Sequence, residues 1–186
     1  MTEMRSARRT TTVWPWWLPG VSPTLASLSH FLSLEPGASR ESVNTATLEA
    51  ALDLTGADLG NIQFHDPRAG GLRIGAQFGF GTAFLRHFEV VAGDEASVCG
   101  QALLKGAPML VRDILRDPLI AGGSSLGVLL DADVRGVYST PLLDRWGTLQ
   151  GMLSVHRREP VADPVADHEL LWPLAQRAAW LLHHAS

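Results

Sequence analysis

Residues 134–160, VRGVYSTPLLDRWGTLQGMLSVHRREP, constrain the fold more than any other stretch of this chain. Two apolar runs, 134–143 and 149–155, flank the polar segment Asp144, Arg145, Trp146, Gly147 and Thr148, the pattern of a β-hairpin whose turn is supplied by a glycine. Val, Leu, Tyr, Thr and Met fill both runs with small residues between them. Such runs suit central strands covered by helices rather than a sheet with one wet face. A hairpin of that kind has to recruit the remainder of the chain onto both of its faces.

The remainder offers suitable material. Leu25, Leu28, Phe31 and Leu32 recur at helical spacing before Glu35-Pro36-Gly37. Ser39 is placed to cap a second helix with Val43, Leu48, Ala51 and Leu52 on its apolar side and Gly56 at its end. Residues 59–65 and 71–77 read as another hairpin, turned by Asp66, Pro67, Ala69 and Gly70. Phe84, Leu85, Phe88 and Val91 continue at helical spacing through His87, and residues 96–105 form a short helix that Ser97 starts and Gly106 stops. A short strand over 108–112 and a helix capped by Ser124 or Ser125 lead into the central hairpin. Asp163-Pro164 opens a final helix whose stripe of Leu171, Leu174, Ala178, Leu181 and Ala185 is widened by Leu170, Ala175 and Leu182, as if it had a second surface to bury. Pro173 should bend it. This order of elements lacks the βαβ repeat of a parallel sheet and indicates an α+β fold with a mostly antiparallel sheet.

At 186 residues the chain has the size of one domain. A net charge of −4 gives no electrostatic reason to expect nucleic acid. The single cysteine, Cys99, excludes an internal disulfide and a thiolate zinc cage, which favours a cytoplasmic protein. No apolar run approaches the ~20 residues that span a bilayer, so no membrane attachment is expected. Residues 1–38 read as a partly disordered extension. Its Arg8-Arg9 pair precedes only a short, proline-broken aromatic patch around Trp14, Trp16 and Trp17, which makes a poor export signal.

Catalytic motifs are missing: H-E-x-x-H, G-x-S-x-G and G-x-x-x-x-G-K-[ST] do not occur. Cys99 could be activated by a helix N-terminus, or could simply be a small buried residue. His183 and His184 are expected to be exposed in a fraying last turn.

The hairpin motif S-T-P-L, a turn, then G-x-L-x-G-M-L-S-x-H with a proline four residues on resembles the closing hairpin of GAF domains, notably input modules of bacterial sensor histidine kinases and bacteriophytochromes. Gly56-Ala57-Asp58, residues 60–64, Asp66-Pro67, residues 97–103, Val111-Arg112-Asp113 and Arg116-Asp117-Pro118 extend the likeness over residues 40–186. The resemblance implies a GAF-like, profilin-like sheet of five or six strands with helices on both faces, spanning 39–186.

It also implies a cavity between the sheet and the helices of 80–133, lined by Phe84, Phe88, Cys99, Leu126, Tyr138, Thr140 and His156, binding a small molecule whose identity is unknown. His156 lies where phytochromes hold the bilin, with a hydrogen-bonded structural histidine as the alternative. Ser124-Ser125 stand where plant and cyanobacterial phytochromes carry Cys-His, so a covalent bilin is disfavoured. Neither Asn44 nor Asn61 is followed by Lys, which disfavours cyclic GMP.

The chain is therefore expected to be a non-enzymatic bacterial sensory domain, a homodimer through its terminal helices, working with a separate histidine kinase or other output protein. The alternatives are a redox enzyme built on Cys99 with His87 or His156, and a ligand-free protein-interaction domain.

Overall fold

The computed structural model describes residues 23–93 and 97–186; the expectations for residues 1–22, export signal and disorder included, lie outside the described residues. Local signals set most element boundaries. Helix α1 (Pro23–Ser33) precedes α2 (Arg40–Thr55), where Ser39 Oγ accepts the Ser42 N–H at 3.1 Å and Gly56, at φ 62°, closes the last turn by donating to Leu52 O at 2.8 Å. Strands β1 (Leu59–Asp66) and β2 (Gly71–Phe78) are joined by a turn in which Asp66 Oδ1 accepts the N–H groups of Arg68 and Ala69.

Helix α3 (Thr82–His87) is shorter than its apolar spacing indicates. Val90 and Val91 leave the helix and pair with Arg73 and Leu72 as the edge strand β3 (Val90–Val91), a placement that suits two β-branched residues. Gly71 permits the approach, since a Cβ there would overlap the Val91 carbonyl oxygen.

Next come α4 (Val98–Lys105), capped by Ser97 Oγ on the Gly100 N–H at 3.1 Å, then β4 (Met109–Val111), α5 (Pro118–Ala121) and α6 (Leu126–Asp131). Ser125 does not cap α6: its backbone is already helical, and its hydroxyl lies 3.4 Å from His87 Nε2.

The central hairpin is β5 (Gly136–Leu143) and β6 (Leu149–Arg157). Its turn is organised by the buried Asp144 carboxylate, which accepts the N–H groups of Trp146 and Thr148 at 2.9 and 2.8 Å, while Gly147 takes φ 79°. The six strands run in the order β3-β2-β1-β6-β5-β4, every pair antiparallel, so both strands of the expected hairpin are interior, with β6 central beside β1. Gly151 lets β6 press against β1, where a Cβ would collide with the Gln63 carbonyl oxygen.

Two apolar layers sandwich this sheet. One joins α1, α2 and α7 (Pro164–His183) to Ile62, Tyr138, Leu142, Leu153 and Val155; the other joins α3 to α6 to Leu59, Leu72, Val137 and Met152. Asp163 caps α7 by accepting from Val165 and Ala166, and the helix runs through the exposed Pro173. The wide stripe of α7 is buried within the chain itself: Leu174, Ala175, Ala178, Leu181 and Leu182 sit in the layer shared with α2, and only Leu170 of the widening set is exposed. His183 is not a loose terminal residue, because its Nδ1 meets Asp144 Oδ2 at 3.0 Å and its ring packs on Trp146.

Candidate functional site

Strand alternation sends every second side chain of the central strands toward α3–α6. On β1 those are Leu59, Asn61 and Gln63, on β6 Met152, Ser154 and His156, and on β5 Val137 and Ser139. The register aligns Asn61 with Ser154 and Ser154 with Ser139, and the two serine hydroxyls bond each other at 2.8 Å. A patch of amide, hydroxyl and imidazole groups thus sits at the centre of a sheet face that is otherwise apolar. Gln63 and Ser139 are wholly buried, and Asn61, Ser154 and His156 are at most 5% exposed.

Phe84 of α3 and Phe88 just past its end, Ser97, Val98 and Cys99 at the start of α4, and Leu129 of α6 face this patch across a cavity with about 20 Å³ open to the centre of a water molecule. That is room for about one water or a comparably small group. Phe84 stacks on Phe80 at 3.6 Å between centroids, and the His156 ring meets them edge-on at 5.8 and 5.0 Å. Burial among these rings pushes the His156 pKa down to about 3, so the imidazole is neutral at physiological pH.

Four polar atoms of the patch lack a hydrogen-bond partner among the described residues: Asn61 Oδ1, Gln63 Oε1, Gln63 Nε2 and His156 Nδ1. Unpaired buried polar groups cost stability, and their concentration around one small cavity marks a place where a further molecule can complete the bonding. Among the described residues no Lys, Arg, Asp or Glu lines the cavity, and no three His, Cys, Asp or Glu side chains cluster as a metal site.

Of the side chains anticipated from sequence, Phe84, Phe88, Cys99 and His156 come together here. Leu126 packs in the same layer without lining the cavity. Tyr138 and Thr140 point to the opposite face, because they alternate with Ser139; the Tyr138 hydroxyl lies 2.8 Å from His168 Nδ1 of α7, and burial pushes its pKa up to about 12. His87 is likewise absent from the lining. Asn61, Gln63, Ser97, Ser139 and Ser154 are the polar lining residues that sequence reasoning missed, with Val98, Leu129 and Val137 beside them. The signal was available as polar residues two apart, Asn61/Gln63 and Ser154/His156, inside otherwise apolar strands.

Directly after His156, Arg157 bridges α2 and α7. Its guanidinium donates to Asp167 Oδ1 of α7 at 2.6 Å and to Thr55 O at the end of α2 at 2.7 Å. The cavity floor is thereby one residue from the junction of α2, β6 and α7.

A family model described as GAF domain matches residues 37–183. No curated protein matches the chain. Among solved structures, the chain is similar to the GAF domain of Acinetobacter phosphoenolpyruvate-protein phosphotransferase, with TM-score 0.67 and 14% identity over 87% of this chain and 91% of that one. It is also similar to a domain assigned to a two-component sensor histidine kinase of Sinorhizobium meliloti 1021, with TM-score 0.60 and 16% identity over 77% and 90% of the two chains. Free methionine-R-sulfoxide reductase of Neisseria meningitidis, solved with its substrate, gives TM-score 0.64 and 19% identity over 87% of each chain. At these identities the likeness concerns the fold.

Proposed function

The chain belongs to the GAF domain family, whose members are mostly sensory or regulatory modules of signalling proteins, and on that premise we propose that it is a small-molecule receptor that signals through its terminal helices. The observation that carries the proposal is the cavity floor, where four unpartnered polar atoms on Asn61, Gln63 and His156 are buried at the centre of the sheet. A fold that needed only stability would place apolar side chains there. In this reading a bound molecule bonds the floor, draws on β6 through His156, and is felt by α2 and α7 through Arg157. The ligand favours one arrangement of those helices only as far as it binds that arrangement better.

The receptor is cytoplasmic and works with a second copy of itself and a separate output protein such as a histidine kinase. Supporting the pairing, α1 presents Leu25 and Leu32 to solvent, each more than half exposed. Light scattering over a wide concentration range tests it, and a monomer throughout would rule it out. The receptor reading is tested by a thermal-shift screen of nucleotides, tetrapyrroles, haem and small metabolites, since a molecule that binds only the folded state raises the melting temperature. Complete silence across such a screen would remove it.

A second reading is supported by Cys99, which lies in the first turn of α4 and faces the cavity, the fold being shared with a sulfoxide reductase. A redox enzyme needs a reactive thiolate there. An alkylation rate for Cys99 no faster than that of an ordinary buried thiol leaves that enzyme without a nucleophile.

A further inference from the structure

Resting on the receptor reading, we infer that the cavity selects an uncharged molecule presenting an amide or lactam edge, and discriminates against the corresponding carboxylate.

The selection follows from what the floor leaves unbonded. Both ends of the Gln63 amide, Oε1 and Nε2, are buried without partners. A primary amide with both ends free is matched by a group that offers one N–H and one C=O side by side, closing a cyclic pair of hydrogen bonds. Exchanging the oxygen and nitrogen positions of Gln63 changes nothing, because the edge is self-complementary.

A carboxylate in the same place can accept from Nε2 but sets a negatively charged oxygen against Oε1, leaving that acceptor unsatisfied and repelled. Asn61 Oδ1 reinforces the preference, since it asks for a further donor, which a primary amide or an N–H of a lactam ring supplies and a carboxylate does not.

Charge points the same way. Among the described residues none that lines the cavity is a Lys, Arg, Asp or Glu, and the imidazole of His156 is buried beside Phe80 and Phe84. An anion would enter a small space whose described lining offers no cationic side chain to balance it, which is far more costly than burying a neutral amide whose bonds are met. Phe84 and Phe88 supply flat apolar walls for the rest of a planar molecule. The open space holds about one water, so an acetamide-sized group requires the surrounding side chains to shift, and a ring-bearing amide requires α3 or α4 to yield further.

The experiment uses matched pairs of probes: acetamide with acetate, benzamide with benzoate, and nicotinamide with nicotinate, each titrated by thermal shift and calorimetry into the whole chain and into Gln63→Met and Thr140→Val. The amides are expected to raise the melting temperature and the acids to have no effect. Gln63→Met is expected to weaken amide binding by about tenfold, the loss of hydrogen bonding to one neutral group. Thr140→Val, on the opposite sheet face, should leave it unchanged. The Gln63 side-chain NH₂ resonance should also move on titration with the wild-type chain, which keeps the test decisive if Gln63→Met does not fold.

An acid that binds as well as its amide, amide binding indifferent to Gln63→Met with an unmoved Gln63 resonance, or no response to any amide would overturn the inference. An acid whose binding depends on Gln63 would sink the amide preference alone and leave the receptor standing. Silence in the broad screen as well would remove both.

Discussion

Replacing His156 by leucine should make the protein more resistant to acid, by an amount that follows from the burial of one ring. The unfolded imidazole titrates near 6.5 and the folded one at about 3, because the ring is enclosed by Phe80 and Phe84 with Nδ1 unpartnered. Between those values the unfolded chain takes up a proton that the folded chain does not. The stability tied to a neutral His156 is therefore fully present above about pH 6.5 and is lost progressively as the pH falls toward 3. The whole gap corresponds to about 5 kcal/mol, of which about 2 kcal/mol is lost by about pH 5. For a chain of this length that is about 4–8 °C in melting temperature.

The assay is urea denaturation of wild type and His156→Leu at about pH 7.5 and about pH 5. Near neutrality the variant should be as stable as wild type or more so, since leucine removes an unpaired polar atom and keeps the apolar contacts. At the lower pH it should lead by about 2 kcal/mol, while every other titrating group cancels in the comparison. Equal losses in the two proteins on acidification would refute the reasoning, since they would mean that the folded ring takes its proton as readily as the unfolded one.

Other perturbations test the frame that holds the site. Arg157→Met strands Asp167, whose side chain is only 4% exposed, and should cost about 3 kcal/mol in chemical denaturation; adding Asp167→Leu should recover much of that loss. Gly151→Ala forces a Cβ into the Gln63 carbonyl and should destabilise by about 2 kcal/mol or more, against about 1 kcal/mol for Gly147→Ala, where only the positive φ of 79° is at stake. Burial raises the Asp144 carboxyl, but the N–H groups of Thr148 and Trp146, then Gln150 and His183, outweigh it and hold the pKa below the usual carboxylate value. Its stabilising effect should therefore persist through mild acid and disappear only as the pH falls through that lowered pKa, and Asp144→Ala should speed amide exchange in the β5–β6 turn.

Much of this architecture was legible because local chemistry marks it. Ser39, Ser97 and Asp163 before helices, Gly56 and Gly106 after them, and Gly147 in the hairpin turn act through bonds and backbone angles within a few residues. Where the reading failed, a distant partner had decided the outcome. Val91 fits a helical stripe until β2 offers it an edge, and Ser125 is a plausible cap until its backbone is drawn into a helical turn beside His87. The second surface expected of α7 is met by α2 of the same chain, a partner that only the folded chain identifies. Tyr138 and Thr140 were placed in one cavity lining with His156 on a family resemblance, whereas the period of two sends them to the other side of the sheet.

By itself, then, the order of residues determined the elements, the buried hairpin and the α+β class, because turns, caps and apolar periodicity are properties of short segments. Only the tertiary structure decided which polar groups share a space. Asn61, Gln63, Ser139, Ser154 and His156 come from three strands, and they meet because cross-strand register sets Asn61 against Ser154 and Ser154 against Ser139. Register is a relation between segments far apart in the chain, fixed when whole strands settle against their helices, and it is what turns scattered polar residues into the floor of a cavity.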